Sequence, residues 1–331
     1  MNSNKSKLII GTRSSKLALW QTNFVKENLE KFFPDIEVTI KEIKTKGDQI
    51  TDISLSKIEG KGFFTKEIED ALLNNEIDLA VHSLKDLPTK LPGGLKISAV
   101  LNREDPCDVL ILRNEPAYRR IGETAKRAFN NLKEGSKVGT SSLRRISQLK
   151  AIRDDLEYLE LRGNVDTRIR KLQEGQYDAI VLAYAGVKRL GFENLISEKF
   201  NPKEILPAVC QGILAIESRE NDNDTESTIM KLNDEKAYLI SIAEREFLST
   251  LQGGCQIPVG AYSEIIENKI TLYGVIASLD GKKIIRDKIT GNLNEAKEIG
   301  IKLAQMLLQN GGRKILENIM PIRQNTSLFN V

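Results

Sequence analysis

The chain has 331 residues, of which 40% are hydrophobic and 29% are charged. At roughly 150 residues per domain, this length favours two or three domains with substantial hydrophobic cores. The 49 lysines and arginines and the 46 aspartates and glutamates leave a net charge of only +3, whereas a general nucleic-acid binder is far more basic. No stretch approaches the ~18 consecutive apolar residues of a membrane helix, so no membrane span is expected.

Histidine and cysteine usage narrows the function classes further. His82 is the only histidine, so a multi-histidine metal site cannot be built, and a serine or cysteine triad would need to recruit it. Cys107, Cys210 and Cys255 are an odd number and form no CxxC pair, which argues against a disulfide framework or a zinc ribbon. The first residues have the features of neither a signal peptide nor a transit segment. We therefore expect a cytoplasmic protein without a metal.

Apolar periodicity predicts an alternation of strands and helices, which is typical of α/β proteins. In the first part of the chain, strands are predicted at 7–11, 36–43, 77–84, 95–101 and 108–112. Helices are predicted at 15–33 and 65–75. The polar, charged stretch 114–135 is predicted to be a linker or an insertion.

After this stretch the alternation begins again. Strands are predicted at 136–140, 156–161 and 177–187, and helices at 141–153 and 164–175. A segment bounded by prolines follows at 201–218. The last hundred residues predict a helix at 236–251, three strands near 259–290 and a closing helix at 293–309.

Two segments of the chain resemble each other. Residues 8–21 (LIIGTRSSKLALWQ) and 137–150 (KVGTSSLRRISQLK) both combine a strand, a Gly-Thr pair, paired serines and a helix. Because each opens an α/β unit, the repeat predicts two similar lobes. Serines and backbone N–H groups at a helix N-terminus can bind an anion, although ordinary N-capping by Ser15 and Ser142 also explains the serines.

Arginines concentrate around these two junctions and beyond them. They are Arg13 in the first turn, Arg144 and Arg145 in the second, and Arg162, Arg168 and Arg189 further along. Adjacent arginines repel each other unless an anion lies between them, so we expect Arg144 and Arg145 to bind a ligand. The planar fork of donors on arginine suits carboxylates and phosphates.

The predicted helix 164–174 separates a candidate site residue from a surface residue. Val165, Ile169 and Leu172 form its apolar stripe by their spacing. Arg168 flanks this stripe and is a candidate for the site, whereas Arg170 points the opposite way and is expected in solvent.

The segment 82–88 (HSLKDLP) places polar residues at the end of an apolar strand. Ligands bind open α/β sheets at the carboxyl ends of their strands, and a carboxylate such as Asp86 can there stabilise a developing cation or move a proton. An alternative stays open for each of two residues. Asp86 could instead cap a turn before Pro88. His82 could be a hydrogen-bonded core histidine, and for His82 the spacing alone favours this alternative.

Cys255 follows the pair of glycines that ends the predicted helix 236–251, so it is expected in a loop. There it can serve as a nucleophile or an attachment point. Cys107 and Cys210 are expected to be buried and inert, as most free cysteines are. Burial as a small hydrophobic residue remains the alternative for Cys255.

Together these segments resemble the porphobilinogen deaminase family, whose members are also called hydroxymethylbilane synthases. The motifs follow the family's order from residue 8 to about residue 310. They are GTRSSKLALWQ, KGFFTKEIEDALL, VHSLKDLPT, REDPCDVL, VGTSSLRRISQL, LRGNVDTRIRKL, AGVKRLG, LPAVCQG and LQGGCQIPVG.

The resemblance implies a transferase of tetrapyrrole (haem) biosynthesis. Such an enzyme joins four molecules of porphobilinogen, a pyrrole with acetate and propionate arms, head to tail into hydroxymethylbilane and releases one ammonia per unit. The chain grows on a dipyrromethane cofactor, which the resemblance attaches to Cys255 through a thioether. A monomer that binds neither nucleic acid, membrane nor metal is also implied.

The resemblance assigns roles to individual residues. Asp86 matches the catalytic aspartate, which stabilises the azafulvenium cation formed as ammonia leaves and assists proton transfer. Cofactor contacts, besides Cys255, fall on Lys85, Thr140, Ser142, Arg144, Arg145, Arg168 and Arg189. Substrate contacts fall on Arg13, Ser15 and Arg162, together with Phe64, an aromatic that the family places over the rings. The segment 47–62 resembles an active-site lid.

The implied fold is α/β with three domains. Two lobes resemble periplasmic binding proteins, and a smaller C-terminal α/β domain with an antiparallel sheet carries the cofactor loop. We place domain 1 at 1–103 and 212–231, domain 2 at 104–211, and domain 3 at 232–331. Cys210 departs from the family pattern, in which a glycine is usual at that position.

Proteins of two other classes would share part of this pattern. A non-catalytic two-lobed binder of an organic polyanion needs the arginines and the helix N-termini, but neither the Asp86 turn nor a tethered thiol. A weak RNA binder would use the basic run 144–170, yet 5% aromatic residues leave few platforms on which bases can stack.

Overall fold

A computed structural model describes residues 5–45, 65–113, 128–252 and 257–319. Its strands are β1 (Lys7–Thr12), β2 (Glu37–Glu42), β3 (Leu79–Ser83), β4 (Leu95–Val100), β5 (Asp108–Leu112), β6 (Lys137–Gly139), β7 (Glu157–Leu159), β8 (Ala179–Ala183), β9 (Glu198–Lys199), β10 (Leu214–Arg219), β11 (Val259–Ile266), β12 (Lys269–Ala277) and β13 (Ile284–Asn292). Its α-helices are α1 (Lys16–Phe32), α2 (Lys66–Leu73), α3 (Leu143–Lys150), α4 (Val165–Gln173), α5 (Tyr184–Arg189), α6 (Asn223–Ile229), α7 (Glu235–Thr250), α8 (Ala296–Leu307) and α9 (Arg313–Ile319). Short 3-10 turns lie at Leu84–Asp86, Glu193–Leu195, Met230–Leu232 and Leu293–Glu295.

The first lobe is built on a five-stranded sheet in the order β2–β1–β3–β10–β4. β1 runs parallel to β2 and β3, whereas β10 is antiparallel to β3 and β4. Leu8 and Ile10 of β1 pack with Val25 and Leu29 of α1 in one buried cluster. Alternate strand residues thus meet helix residues spaced four apart, as the two periodicities require.

The second lobe has a five-stranded sheet in the order β7–β6–β8–β5–β9. β6 runs parallel to β7 and β8, and β5 is antiparallel to β8 and β9. In each sheet the antiparallel fourth strand, β10 or β5, is the one that the chain reaches by crossing from the other lobe. The predicted similarity of the two lobes is confirmed by this shared strand order.

The C-terminal region packs α7 and α8 on a three-stranded antiparallel sheet, β11–β12–β13. Phe247 of α7 and Leu303 of α8 are fully buried in its core. The two helices approach closely at Gly300, where a Cβ atom would lie only 2.4 Å from the carbonyl oxygen of Ala243. A larger residue at this position would force the helices apart.

A buried carboxylate joins this region to both crossings between the lobes. Glu244 of α7 has no exposed surface and accepts a hydrogen bond from Nη1 of Arg103 at 2.7 Å. It also accepts from the backbone N–H groups of Cys210 at 2.6 Å and Ser263 at 2.8 Å. Arg103 lies on the segment that leads from the first lobe to β5, and Cys210 lies on the segment that leads from the second lobe back to β10. Glu244 therefore fixes α7 to both segments that cross between the lobes.

The α/β class with two lobes and a smaller C-terminal domain with an antiparallel sheet is confirmed. The predicted strand 177–187 is wrong in its second half, because β8 ends at Ala183 and Tyr184–Arg189 is helical. Periodicity alone cannot separate a buried strand from a buried helix when both faces are apolar. Of the predicted insertion 114–135, residues 114–127 lie outside the described residues, and the proposed domain boundaries stay a prediction. In the part of the chain described, no helix combines the length and apolarity needed to span a membrane.

Candidate active site

A cavity of about 260 Å³ lies between the two lobes. The first lobe contributes the β1–α1 turn and the end of β3, and the second contributes parts of α3, α4 and α5. Its charged lining includes six basic residues and two acidic ones: Arg13, Lys16, Lys85, Arg145, Arg168, Arg189, Asp86 and Asp166. A lining with this excess of positive charge fits an anionic ligand.

The turn between β1 and α1 opens directly on the cavity. Oγ of Ser15 accepts a hydrogen bond from the backbone N–H of Ala18 at 3.3 Å and caps α1. Arg13 and Ser15 both line the cavity, as do the first residues of the helix. The N-terminus of a 17-residue helix therefore adds its partial positive charge to that of the arginine.

The corresponding turn between β6 and α3 is arranged differently. Arg144 and Arg145 are buried, and each donates to a different oxygen of Asp108, both at 2.7 Å. Although burial raises the pKa of Asp108, the two guanidinium groups hold it well below its usual range. The anion that both arginines contact is the side chain of Asp108, and the expectation that they also bind a ligand stays a prediction. Only Arg145 of this pair lines the cavity among the described residues.

The end of β3 delivers Lys85 and Asp86 to the cavity. After Ser83 the chain turns through the 3-10 helix Leu84–Asp86, and Leu84 is only 1% exposed. This buried leucine anchors the turn, so its polar neighbours face the cavity. Burial lowers the pKa of Lys85, Arg145 lowers it further, and Asp86 opposes the change. Asp86 is exposed at the end of this turn, and the alternative that its carboxylate caps the turn stays a hypothesis.

Two arginines of the second lobe complete the basic lining. Nε of Arg168 on α4 donates to the carbonyl oxygen of Gly163 at 2.7 Å, and Nη2 of Arg189 on α5 donates to that of Gly212 at 2.8 Å. Neither forms an ion pair with any residue in the described ranges. Burial lowers the pKa of both to about 10, with Arg145 contributing for Arg168. Each is therefore a partly buried cation that an anionic ligand would stabilise.

The structure brings together seven of the predicted site residues in the cavity lining: Arg13, Ser15, Lys85, Asp86, Arg145, Arg168 and Arg189. Among the described residues, four others do not line it: Thr140, Ser142, Arg144 and Arg162. Oγ1 of Thr140 accepts from the N–H of Ser142 at 3.3 Å, and Nη2 of Arg162 lies 2.6 Å from Oε1 of Glu160. Their assignment to cofactor or substrate stays a prediction without support from the cavity.

Two predicted site residues, Phe64 and Cys255, lie outside the described residues, as does the predicted lid 47–62. Their roles stay predictions that rest on the sequence motifs. The other two cysteines, Cys107 and Cys210, are buried as expected. Burial raises the pKa of each thiol, which makes both poor nucleophiles.

Sequence reasoning missed two residues that organise the site. Asp108 stands inside the motif REDPCDVL, but its role depends on arginines 36 residues away along the chain. Gln211 lines the cavity and donates from Nε2 to Asp108 at 2.9 Å. A carboxylate at the start of the otherwise apolar strand β5 was a usable signal for Asp108. The sequence offered none for Gln211, since it lies on an irregular crossing.

Two α/β lobes around a positively charged cavity define a class of protein that holds an anionic small molecule between its lobes. Comparison with known proteins is consistent with this class and narrows it. Residues 8–227 match the family model described as "Porphobilinogen deaminase, dipyromethane cofactor binding domain", and residues 238–309 match that of its C-terminal domain. The chain belongs to the porphobilinogen deaminase family, a family of transferases in tetrapyrrole biosynthesis.

Individual relatives agree with this assignment. The chain is 50% identical to porphobilinogen deaminase of Carboxydothermus hydrogenoformans, over 95% of this chain and 98% of that protein. It is 49% identical to porphobilinogen deaminase of Syntrophomonas wolfei, over 93% and 97%. Among solved structures, the periplasmic VFT2 domain of Bordetella pertussis BvgS is 14% identical with a TM-score of 0.39, over 70% of this chain and 87% of that one. That likeness is too weak to support any statement about this chain.

Proposed function

We propose that this protein is a hydroxymethylbilane synthase. It joins four porphobilinogen molecules head to tail into hydroxymethylbilane and releases one ammonia at each condensation. The observation that carries this proposal is the position of Asp86, an exposed carboxylate in an otherwise basic cavity. The other acid of the lining, Asp166, lies 3.3 Å from Nζ of Lys16 and is compensated by it.

The charge of the cavity suits this substrate. Each porphobilinogen ring carries two carboxylates, so a growing chain of rings is a polyanion. Arg13 and the N-terminus of α1 lie on one side of the cavity, and Arg168 and Arg189 lie on the other. Anionic arms on both edges of a ring can therefore be bound from both lobes, through charge-assisted hydrogen bonds.

The same lining fits a dipyrromethane cofactor. Lys85, Arg145, Arg168 and Arg189 would hold its carboxylates. The lowered pKa values of Arg168 and Arg189 mark these two as cations that a bound anion would stabilise. When bound, the cofactor supplies the pyrrole carbon to which the first substrate is joined. Cys255, in the motif LQGGCQIPVG, would attach it through a thioether.

Asp86 acts when ammonia leaves. The C–N bond of the protonated aminomethyl group breaks, the electron pair leaves with nitrogen, and positive charge spreads over the pyrrole ring. The Asp86 carboxylate stabilises this charge as a preorganised electrostatic partner. A pyrrole carbon then attacks, a C–C bond forms, and the same carbon loses its proton to restore the aromatic ring.

Intact mass of the purified protein tests the covalent attachment. We expect an excess over the bare chain that corresponds to two linked pyrroles, and we expect Cys255→Ala to lose it. Cys107→Ala is the matched control and should keep the excess, because Cys107 is buried away from solvent. A wild-type mass equal to the bare chain, with no pyrrole colour reaction, favours the non-catalytic polyanion binder instead.

Asp86→Asn tests the catalytic carboxylate. This variant should keep the two-pyrrole mass but form hydroxymethylbilane at least ~10²-fold more slowly, as expected when a preorganised electrostatic partner is removed. Asp166→Asn is the matched control, because Asp166 lines the same cavity but is paired with Lys16. Turnover of Asp86→Asn near the wild-type rate would remove Asp86 from the proposed role.

A further inference from the structure

Two aromatic side chains of α1 lie exposed beside the cavity and have no role in the function proposed above. The rings of Trp20 and Phe24 stack with their centroids 5.3 Å apart and an angle of 8° between their planes. Trp20 is 38% exposed and Phe24 is 39% exposed. The outer face of a helix in a soluble protein normally carries polar residues, and contiguous apolar surface there is typical of a binding site. This pair is therefore a candidate binding surface.

The aromatic pair continues the cavity lining along α1. Lys16 and Leu17 line the cavity at the start of this helix, and Trp20 lies about one turn further along and Phe24 about two. Arg189 of α5 also lines the cavity, and its guanidinium carbon lies 5.8 Å from the centroid of the Trp20 ring. The same guanidinium group thus borders both the cavity and the aromatic pair, so an anionic ligand that extends from one to the other stays next to a positive charge.

The side of the cavity formed by β3 is closed by buried residues. Nε2 of His82 lies 3.0 Å from Oε2 of Glu217, which has no exposed surface. His82 is thus the hydrogen-bonded core histidine that its spacing favours. Next to it, Nε2 of the buried Gln21 donates to Oγ of Ser83 at 2.8 Å. A ligand longer than the cavity must therefore leave it on another side, and the outer face of α1 offers one.

The product of the proposed reaction is longer than the cavity. Pockets that bury one drug-sized ligand have volumes of about 300–1,000 Å³, and this cavity has about 260 Å³. Four substrate rings and two cofactor rings, each with two carboxylate arms, do not fit into it together. Rings that have already been joined therefore need binding surface outside the cavity.

We propose that Trp20 and Phe24 form an outer subsite on which rings of the growing chain stack as they leave the cavity, an inference that rests on the proposed function. Flat aromatic rings stack on aromatic side chains in an offset arrangement, and such stacking accepts every ring of the chain, because each ring has a π face. A carboxylate arm of a stacked ring meets the guanidinium group of Arg189, which supplies the complementary charge. Trp20 and Phe24 are therefore binding residues for the later condensations and not catalytic residues.

The number of rings added over time within a single turnover tests this subsite. Purified protein is mixed with porphobilinogen, the reaction is stopped at successive times, and the intact mass gives the number of rings added. Trp20→Leu stays apolar but loses the stacking face. We expect its first addition at the wild-type rate and its third and fourth additions about 10-fold more slowly, as for the loss of one stacked ring, so that species with two added rings accumulate. Trp20→Phe, which restores an aromatic ring, should recover most of the later rate.

Phe32→Leu is the matched control. Phe32 is the last residue of α1, at the end away from the cavity, and is 56% exposed, so all four additions should keep the wild-type rate. Unchanged third and fourth additions in Trp20→Leu overturn the inference. Equal slowing of all four additions also overturns it, because Trp20 then only positions Arg189 in the cavity. So does a wild-type dimer that Trp20→Leu converts to a monomer, since the pair is then an interface between two copies.

Fluorescence gives a second measurement that does not depend on the rates of the variants. Trp20 is the only tryptophan of the chain, so its emission reports on this surface alone. The emission of the wild type should change more when the later rings are added than when the first is added. Phe24→Leu keeps the fluorophore but removes its stacking partner, so it should show a smaller change. Emission that stays constant through all four additions contradicts the subsite, whereas a wild-type protein that carries no pyrroles and consumes no porphobilinogen overturns the proposed function itself.

Discussion

In the first lobe, the turn between β1 and α1 brings Arg13 and Ser15 to the cavity. In the second lobe, the turn between β6 and α3 has the same place in the same strand order, yet it brings only Arg145 there. The second turn has an internal anion, Asp108, which accepts hydrogen bonds from Arg144 and Arg145.

This difference shows that a repeated strand–turn–helix motif need not repeat its function. The first turn leaves the helix N-terminus open to an anion from outside the protein. The second turn binds two arginines to a fixed carboxylate, so that they serve the stability of the lobe and place one guanidinium at the cavity edge. Substitutions at each turn test this difference between the two lobes.

The largest expected effect is on stability and comes from Asp108→Asn. This change leaves two buried guanidinium groups without their counter-charge, so the free energy of unfolding should fall by about 3–5 kcal/mol. Urea denaturation at neutral pH measures it. Asp105→Asn is the control: its carboxylate is partly exposed and lies 3.4 Å from Nζ of Lys199, so we expect a loss of about 1 kcal/mol or less. Equal losses in both variants would mean that Asp108 is not the essential internal anion.

Acidification should shrink the difference between wild-type and Asp108→Asn proteins. The pKa of Asp108 is lower in the folded protein than its unfolded value of about 4, because Arg144 and Arg145 outweigh burial. A carboxyl of this kind contributes stability above its unfolded pKa, and that contribution is lost as the pH falls toward its folded pKa. The difference in free energy of unfolding between the two proteins should therefore be smaller at pH 3 than at pH 7. An equal difference at both pH values would contradict the ion pair.

A smaller effect, on binding, is expected from Arg168→Gln. Removal of a charged hydrogen-bond donor of this kind costs about 1.5–3 kcal/mol, so KM for porphobilinogen should rise about 10- to 100-fold. Arg170→Gln is the control on the same helix, because Arg170 is exposed and pairs with Glu174. Steady-state kinetics distinguish them, and a similar KM for both variants would place Arg168 outside the site.

The smallest effect separates the two helix caps. Oγ of Ser15 accepts from the N–H of Ala18, whereas the side chain of Ser142 makes no capping hydrogen bond to α3. Ser15→Ala should therefore lower the free energy of unfolding by about 1 kcal/mol, and Ser142→Ala should leave it nearly unchanged. Thermal or urea unfolding measures both, and the reverse order would show that the two turns are capped in the opposite way.

Local patterns predicted most elements, but less often which side of an element is buried. In α4, Ile169 and Leu172 are buried and Arg170 is exposed, as the spacing predicts. In α1, Trp20 and Phe24 stack at the surface with ring centroids 5.3 Å apart, while Gln21 and Thr22 are buried. Hydrophobicity alone could not predict which face of α1 is buried. Gln21 is buried because it lies at the cavity wall, where its Nε2 donates to Oγ of Ser83 at 2.8 Å.

The alternation of strands and helices, the repeat that makes two lobes and the motifs of the family could all be predicted from the amino-acid sequence. These features depend on short-range periodicity and on residue types in fixed order, both of which can be read along the chain. The folded structure was needed to show that Arg144 donates to Asp108 while Arg168 and Arg189 line the cavity, and that His82 is paired with Glu217. Those outcomes depend on which distant segments pack together, and a charged side chain is committed to a structural partner or left for a ligand by that packing.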